Sequence, residues 1–103
     1  MTQSYRITDY DRQFYRDRLM SFLPESIVDC HAHTWLASHV RPQPAGFVSR
    51  SAAWAREAAA AHPVGQLLDS YRDLLPTTSV TPILLPWVEP DIDRDANNRY
   101  VRG

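Results

Sequence analysis

The sequence lacks several features that mark special classes of protein. It contains a single cysteine, Cys30, so no disulfide can form within the chain and a stapled extracellular scaffold is excluded. No apolar run exceeds four residues, which is too short for the core of a signal peptide or for a membrane-spanning helix. We therefore expect a soluble, cytoplasmic protein without a membrane partner.

Lysine is absent: all eleven basic residues are arginines, and they face twelve acidic residues for a net charge of −1. The arginines are scattered from Arg6 to Arg102 without forming a basic patch, so no nucleic-acid partner is expected. A hydrophobic content of 44% and a charged content of 22% are ordinary for a folded protein. This composition predicts a packed core in a single domain over residues 1–103.

The most informative stretch is the run from Ile27 to Trp35, in which two histidines lie one residue apart. Side chains alternate between the faces of an extended strand, so Asp29, His31 and His33 are expected on one face. Cys30 would lie on the opposite face as a small buried hydrophobe without chemistry. Two imidazoles on one face can reach a single metal ion, which is half of a typical zinc site.

The pattern Asp-x-His-x-His at the end of a first strand resembles the metal-dependent amidohydrolase superfamily, in its amidohydrolase-related branch. The resemblance covers residues 24–103, because an amphipathic helix, an apolar strand, a loop and an acid-rich last helix follow in that family's order. It implies a (β/α)₈ barrel in which His31 and His33 bind a divalent cation, Zn²⁺ first, beside a small-molecule substrate. The family's catalytic acid comes from a last strand that has no counterpart here, so no catalytic residue is assigned. Asp29 either orients an imidazole or has a structural role.

The length bears on the fold that the resemblance implies. A complete (β/α)₈ barrel needs roughly 250 residues, whereas this chain has 103. We therefore predict an α/β protein that forms an incomplete barrel fragment, with a leading helix and two βα units. Two strands cannot close a barrel, and the open sheet edge predicts an oligomer or a complementing chain.

Local patterns predict the individual elements of this fragment. Thr8 and Asp11 have the spacing of a capping box before a helix over residues 9–23, whose aromatic stripe is expected to pack into the core. The remaining predictions are a strand from Ser26, a loop over 34–48, an alanine-rich helix from Ser49 or Ser51 to Ala61, a helix over 64–75, a strand over 80–85, and a last helix capped by Asp91 or Asp93. Pro82 lies inside the second predicted strand, so pairing is expected only after it.

His39, Trp35 and Trp87 each have two interpretations, and His62 has one. His39, in the long loop, either joins the metal or is simply solvated, and His62 is expected near the C-terminal dipole of a helix. Trp35 and Trp87 follow the two strands. They either form a wall of a substrate pocket or pack under the loops, and packing is the more frequent use.

Three functions are compatible with these observations. The resemblance implies metal-assisted hydrolysis of amides, lactones or related esters. The first alternative is nonoxidative decarboxylation by the same type of barrel. The second is that the chain is a truncated, inactive fragment, or an interaction module that completes a barrel with another polypeptide.

Overall fold

The computed structural model describes residues 6–47 and 61–103, and they form a mixed α/β structure. The predicted alternation of helices and strands is confirmed at this level. The elements are α1 (Asp9–Phe14), a π-helical turn (Tyr15–Leu19), β1 (Ser26–Thr34), a 3₁₀ turn (Ala37–His39), α2 (Val64–Leu74), β2 (Ser79–Pro86) and α3 (Arg94–Arg102). The alanine-rich helix predicted from Ser49 or Ser51 lies outside the described residues.

The capping box at the start of α1 is confirmed. The Thr8 hydroxyl accepts from the Asp11 amide at 3.3 Å, and the Asp11 carboxylate accepts from the Thr8 amide at 2.8 Å. The helix is less regular than predicted, because it widens into the π-helical turn at Tyr15 and its last helical residue is Leu19. Tyr15 is only 3% exposed, and its hydroxyl shares hydrogen bonds with the side chains of Thr77 and Thr78.

The predicted packing of the aromatic stripe is wrong for most of its members. Tyr10 is 73% exposed and Phe22 is 79% exposed, while Phe14 is also on the surface. The described residues bury few apolar side chains, namely Tyr15, Ala32, Trp35, Leu67 and Ile92. So small a core cannot cover the whole stripe, and Tyr15 is the one residue of α1 and its π-helical turn that is buried.

The strands β1 and β2 pair in parallel, from Ser26 opposite Ser79 to Thr34 opposite Pro86. Pro82 pairs with Asp29, so the expectation that pairing begins only after this proline is wrong. The register shifts immediately afterwards, where three steps along β1 match two along β2. A bulge fits this position, because proline offers no N–H group to the ladder.

The bulge changes which side chains of β1 are buried. Cys30 is exposed, which contradicts its predicted burial, whereas Ala32 is buried. Cys30 shares the exposed face of Ser26 and Val28, as regular alternation up to that residue requires. Alternation breaks only between Cys30 and Ala32, where the bulge inserts an extra residue into β1. The side chains of this segment are therefore re-aimed relative to a regular strand.

The two later helices follow their predicted positions. Leu67 of α2 is buried, as its apolar stripe predicts. The side chain of Asp93 accepts from the Ala96 amide at 3.1 Å, so Asp93 rather than Asp91 caps α3. Among the described residues, no helix combines the length and the apolar character needed to span a bilayer.

Candidate metal centre

The imidazoles of His31 and His33 meet at the carboxyl end of the parallel sheet. Their Nε2 atoms are 3.0 Å apart, and their ring centroids are separated by 4.9 Å at an interplanar angle of 68°. His33 pairs with Leu85, one residue before β2 ends at Pro86. The two rings therefore converge even though the bulge interrupts the regular alternation of β1 between Asp29 and Ala32.

The orientation of the His33 ring is fixed by a backbone group. Its Nδ1 lies 3.1 Å from the carbonyl oxygen of Pro86. A carbonyl oxygen can only accept, so Nδ1 carries the proton and a neutral His33 presents an unprotonated Nε2 toward His31. The edge of the ring also contacts Trp87, with centroids 5.1 Å apart at 85°. This is the arrangement expected of a metal-ligating histidine whose second nitrogen is held by a carbonyl.

His31 has to change its tautomer to act as a ligand. Facing the unprotonated Nε2 of a neutral His33, it donates its own Nε2–H across the 3.0 Å separation. Binding of a cation by both Nε2 atoms requires that this proton move to Nδ1 of His31 or leave the protein. A metal ion that binds both Nε2 atoms therefore has to replace the hydrogen bond between the two imidazoles.

The separation of the two nitrogens fits shared coordination. Two ligands that each lie about 2.0 to 2.1 Å from one zinc ion at a tetrahedral angle are about 3.3 Å apart. The observed 3.0 Å differs from this by an amount that a small ring rotation removes. Among the described residues no group of three His, Cys, Asp or Glu side chains could hold a metal ion, so the pair by itself falls short of the three protein ligands usual in catalytic zinc sites.

Asp29 supports the backbone of the site rather than an imidazole. One carboxylate oxygen accepts from the backbone amide of His31 at 3.1 Å, and the other accepts from the Tyr71 hydroxyl at 2.6 Å. These hydrogen bonds, that from Tyr71 first, lower the pKa of Asp29. Burial and the neighbouring carboxylate raise the pKa of Tyr71, so it remains a donor. Of the two roles considered for Asp29, its contacts favour the structural one.

His39 lies in the core rather than in solvent. It is buried, and its Nδ1 accepts from the backbone amide of Leu36 at 3.0 Å. The same nitrogen lies 3.2 Å from the side-chain amide nitrogen of Asn97. Its Nδ1 therefore contacts groups of the interior, and the ring packs edge-on against Tyr100. Neither solvation nor a place beside His31 and His33 describes it.

Asn97 is the residue of this region that sequence reasoning missed. It is fully buried, and its side chain donates to the carbonyl of Thr34 at 2.9 Å and accepts from the amide of Trp87 at 2.7 Å. It therefore joins the ends of both strands to α3. Asn97 lies three residues before Tyr100 and four before Val101, so helical spacing places it on the apolar face of α3. This spacing is the feature of the sequence from which its burial could have been predicted.

The tryptophans pack against each other beside this network. The rings of Trp35 and Trp87 stack with centroids 4.9 Å apart, and Trp35 is buried. The backbones of Trp35 and His62 exchange two hydrogen bonds of 3.1 and 3.0 Å. Burial lowers the pKa of His62. For Trp35, packing under the loops is the interpretation that its burial supports.

Comparison of the chain with protein-family models, with curated proteins and with solved structures finds no match. A function proposed for it therefore has to rest on the geometry of the site and on the residues of the motif.

Proposed function

We propose that this chain is the metal-binding N-terminal part of a metal-dependent hydrolase of the amidohydrolase type, with a leading helix and two βα units of a (β/α)₈ barrel. One observation carries the proposal: the Nε2 atoms of His31 and His33 lie 3.0 Å apart while the Pro86 carbonyl holds the other nitrogen of His33.

The position of the pair in the sheet supports this proposal. Both histidines lie in the last four residues of β1, beside the end of β2. Enzymes with parallel barrels place their reactive groups at the carboxyl ends of the strands. The bulge before Ala32 is a second supporting feature, since bulges often re-aim side chains next to active sites.

His31 and His33 would hold the divalent cation, with Zn²⁺ as the first choice. When bound, such an ion polarises a carbonyl and lowers the pKa of water, which suits hydrolysis of amides, lactones and related esters. The Pro86 carbonyl keeps the proton of His33 on Nδ1 and thereby keeps Nε2 available. The hydrogen bond that the His31 amide donates to the Asp29 carboxylate holds the bulged backbone that carries both rings.

A second candidate is an interaction module without activity of its own. It is favoured by the count of ligands, because the described residues offer two imidazoles and no third metal-binding group. It is also favoured by the sheet, because in the part of the chain that the structure describes each strand pairs with one neighbour, which leaves its other edge able to pair with a strand of another chain or copy. Under the main proposal the same edges receive the strands that complete the metal site.

Metal titration of the ¹⁵N-labelled chain tests the proposal. Substoichiometric Co²⁺ is expected to broaden the imidazole resonances of His31 and His33 first, and Zn²⁺ is expected to shift them. Substitutions H31A and H33A should each abolish these effects, because one imidazole is a weak ligand. His62→Gln removes an imidazole outside the pair and serves as the matched control.

The outcomes separate the candidates. Metal binding that survives both H31A and H33A would refute the metal-binding role and with it the hydrolase. Metal binding that needs both histidines supports the main proposal, whereas a chain that binds no metal but pairs with another polypeptide or copy would favour the interaction module.

A further inference from the structure

A second region with the properties of a binding site lies at the other end of the sheet. It is a cavity of about 540 Å³ between the α1 segment and the turn that leads from α2 into β2. His31 and His33 lie at the carboxyl end of the strands, whereas this cavity lies at the amino end of β2. Its volume is within the range of small-molecule sites, about 300 to 1,000 Å³.

The cavity is lined by an unusual share of the positive charge. Four of the eleven arginines contribute to its wall, namely Arg6, Arg12, Arg16 and Arg72. Asp73 is the one acidic residue that lines it. Guanidinium groups bind carboxylate and phosphate oxygens in pairs of parallel hydrogen bonds, so their convergence on a cavity indicates an oxyanion ligand.

Two of these arginines already contact neighbouring acids, and both contacts are weak. Arg12 lies 3.1 Å from Asp9, and Arg72 lies 2.5 Å from Asp69, each within its own helix. All four side chains are more than half exposed, and ion pairs between exposed side chains are weak because water and salt screen them. Their guanidinium groups retain donors that can turn toward a ligand in the cavity.

Arg6 and Arg16 make no ion pair with any other described residue. Together with Arg12 and Arg72, whose charges are offset by Asp9 and Asp69, they leave the cavity and its rim with a net positive charge, which favours an anionic ligand.

The wall is held in place by the anchor of α1. The buried hydroxyl of Tyr15 shares hydrogen bonds with Thr77 and Thr78, and it also accepts from the Thr77 amide at 3.3 Å. This anchor fixes the segment that carries Arg12 and Arg16 against the turn before β2. Binding there costs less ordering of the backbone than binding to a free helix would.

Besides Tyr15 and Thr77, the rest of the lining is apolar and consists of Ile7, Met20, Leu74 and Pro76. We propose that the cavity binds a soluble small molecule that carries a phosphate monoester beside an apolar or aromatic group. The phosphate would contact the arginines, and the apolar group would lie on Leu74 and Pro76. The site is independent of the proposed metal centre.

Titration of the whole ¹⁵N-labelled chain with phenyl phosphate tests this proposal, with inorganic phosphate and phenol as comparison ligands. The backbone and Arg side-chain resonances around the cavity are expected to shift in a saturable way, with a dissociation constant on the order of 1 mM. Phenyl phosphate should bind more tightly than either comparison ligand.

Arg16→Gln is expected to weaken phenyl phosphate binding roughly tenfold, the effect of losing one charge-assisted contact. Arg102→Gln, an exposed arginine at the end of α3, is the matched control and should leave the affinity unchanged. Both substitutions are on the surface, and equal unfolding midpoints verify that each variant is folded.

Several results would overturn the proposal. These are affinities that Arg16→Gln and Arg102→Gln reduce equally, shifts that do not saturate, or equal affinities for phenyl phosphate and inorganic phosphate. Cosedimentation with vesicles that contain phosphatidic acid, without competition by phenyl phosphate, would assign the arginines to a membrane surface and refute the soluble ligand.

Discussion

The buried side chain of Asn97 donates a 2.9 Å hydrogen bond to the backbone carbonyl of Thr34 and so ties α3 to the end of β1. Its oxygen also accepts from the amide of Trp87, the residue that follows β2. One amide group therefore satisfies backbone groups at the ends of both strands. The position of the proposed metal centre depends on this arrangement, because Trp87 contacts the ring of His33 and the Pro86 carbonyl holds the Nδ1 atom of His33.

We expect Asn97→Ala to lower the free energy of unfolding by about 2 to 4 kcal/mol. The substitution leaves the Thr34 carbonyl and the Trp87 amide without their partner in a buried position and creates a small cavity. Urea denaturation followed by far-UV circular dichroism measures the change. Asn98→Ala is the matched control, because Asn98 is exposed and should change stability by less than about 0.5 kcal/mol. Equal effects of the two substitutions would contradict the role of Asn97.

The hydrogen bond between Tyr71 and Asp29 links α2 to the bulged part of β1. Tyr71→Phe removes the 2.6 Å hydrogen bond to the carboxylate and is expected to cost about 1 kcal/mol of stability at neutral pH. Tyr10→Phe, at an exposed position, is the control and should be neutral.

The same substitution should change the acid limb of the stability curve. The folded-state pKa of Asp29 is lowered, by the Tyr71 hydroxyl first, so its contribution is present above the unfolded pKa of about 3.9 and is lost as the pH falls below it. Tyr71→Phe removes the main cause of the lowered pKa. The free energy of unfolding of this variant should therefore fall less steeply below about pH 4 than that of the parent chain. Parallel acid limbs in the two proteins would contradict this prediction.

The elements that follow from neighbouring residues were predictable from the sequence. Thr8 with Asp11 and Asp93 with Ala96 are contacts between residues three apart, and their geometry depends on the local backbone alone. The exposure of Cys30 was not predictable in this way. It depends on which face of β1 the rest of the chain covers, and Cys30 lies on the uncovered face that also carries Val28.

The predicted site shows the same division between local and distant causes. The spacing of His31 and His33 indicated that their rings could meet, because both belong to one strand. The sequence did not indicate which group would hold His33, since the Pro86 carbonyl reaches it only through the pairing of β1 with β2. The burial of Asn97 and His39 likewise arises from contacts between α3 and the 34–40 segment.

Cys30 is expected to react readily with Ellman's reagent in the native chain. Its side chain is exposed beside the bulge, so no unfolding step should precede the reaction. The native rate should be within about tenfold of the rate in denaturant and should not depend on stabilising conditions. A native rate that is several orders of magnitude slower would place the thiol in the interior, as the regular alternation of β1 predicted.

His62 should make the stability of the fold depend on pH below about 6.5. Burial lowers its folded-state pKa below the ordinary value of about 6.5. The unfolded chain therefore takes up a proton at a pH where the folded chain does not, and the free energy of unfolding falls as the pH drops below about 6.5. His62→Gln cannot be protonated, so this variant should lose stability less steeply over the same range. The difference between the parent and the variant curves isolates the contribution of His62. If the two curves run parallel, the surroundings of His62, including the ring of Trp35 with its centroid 5.8 Å away, do not keep it neutral in the folded chain.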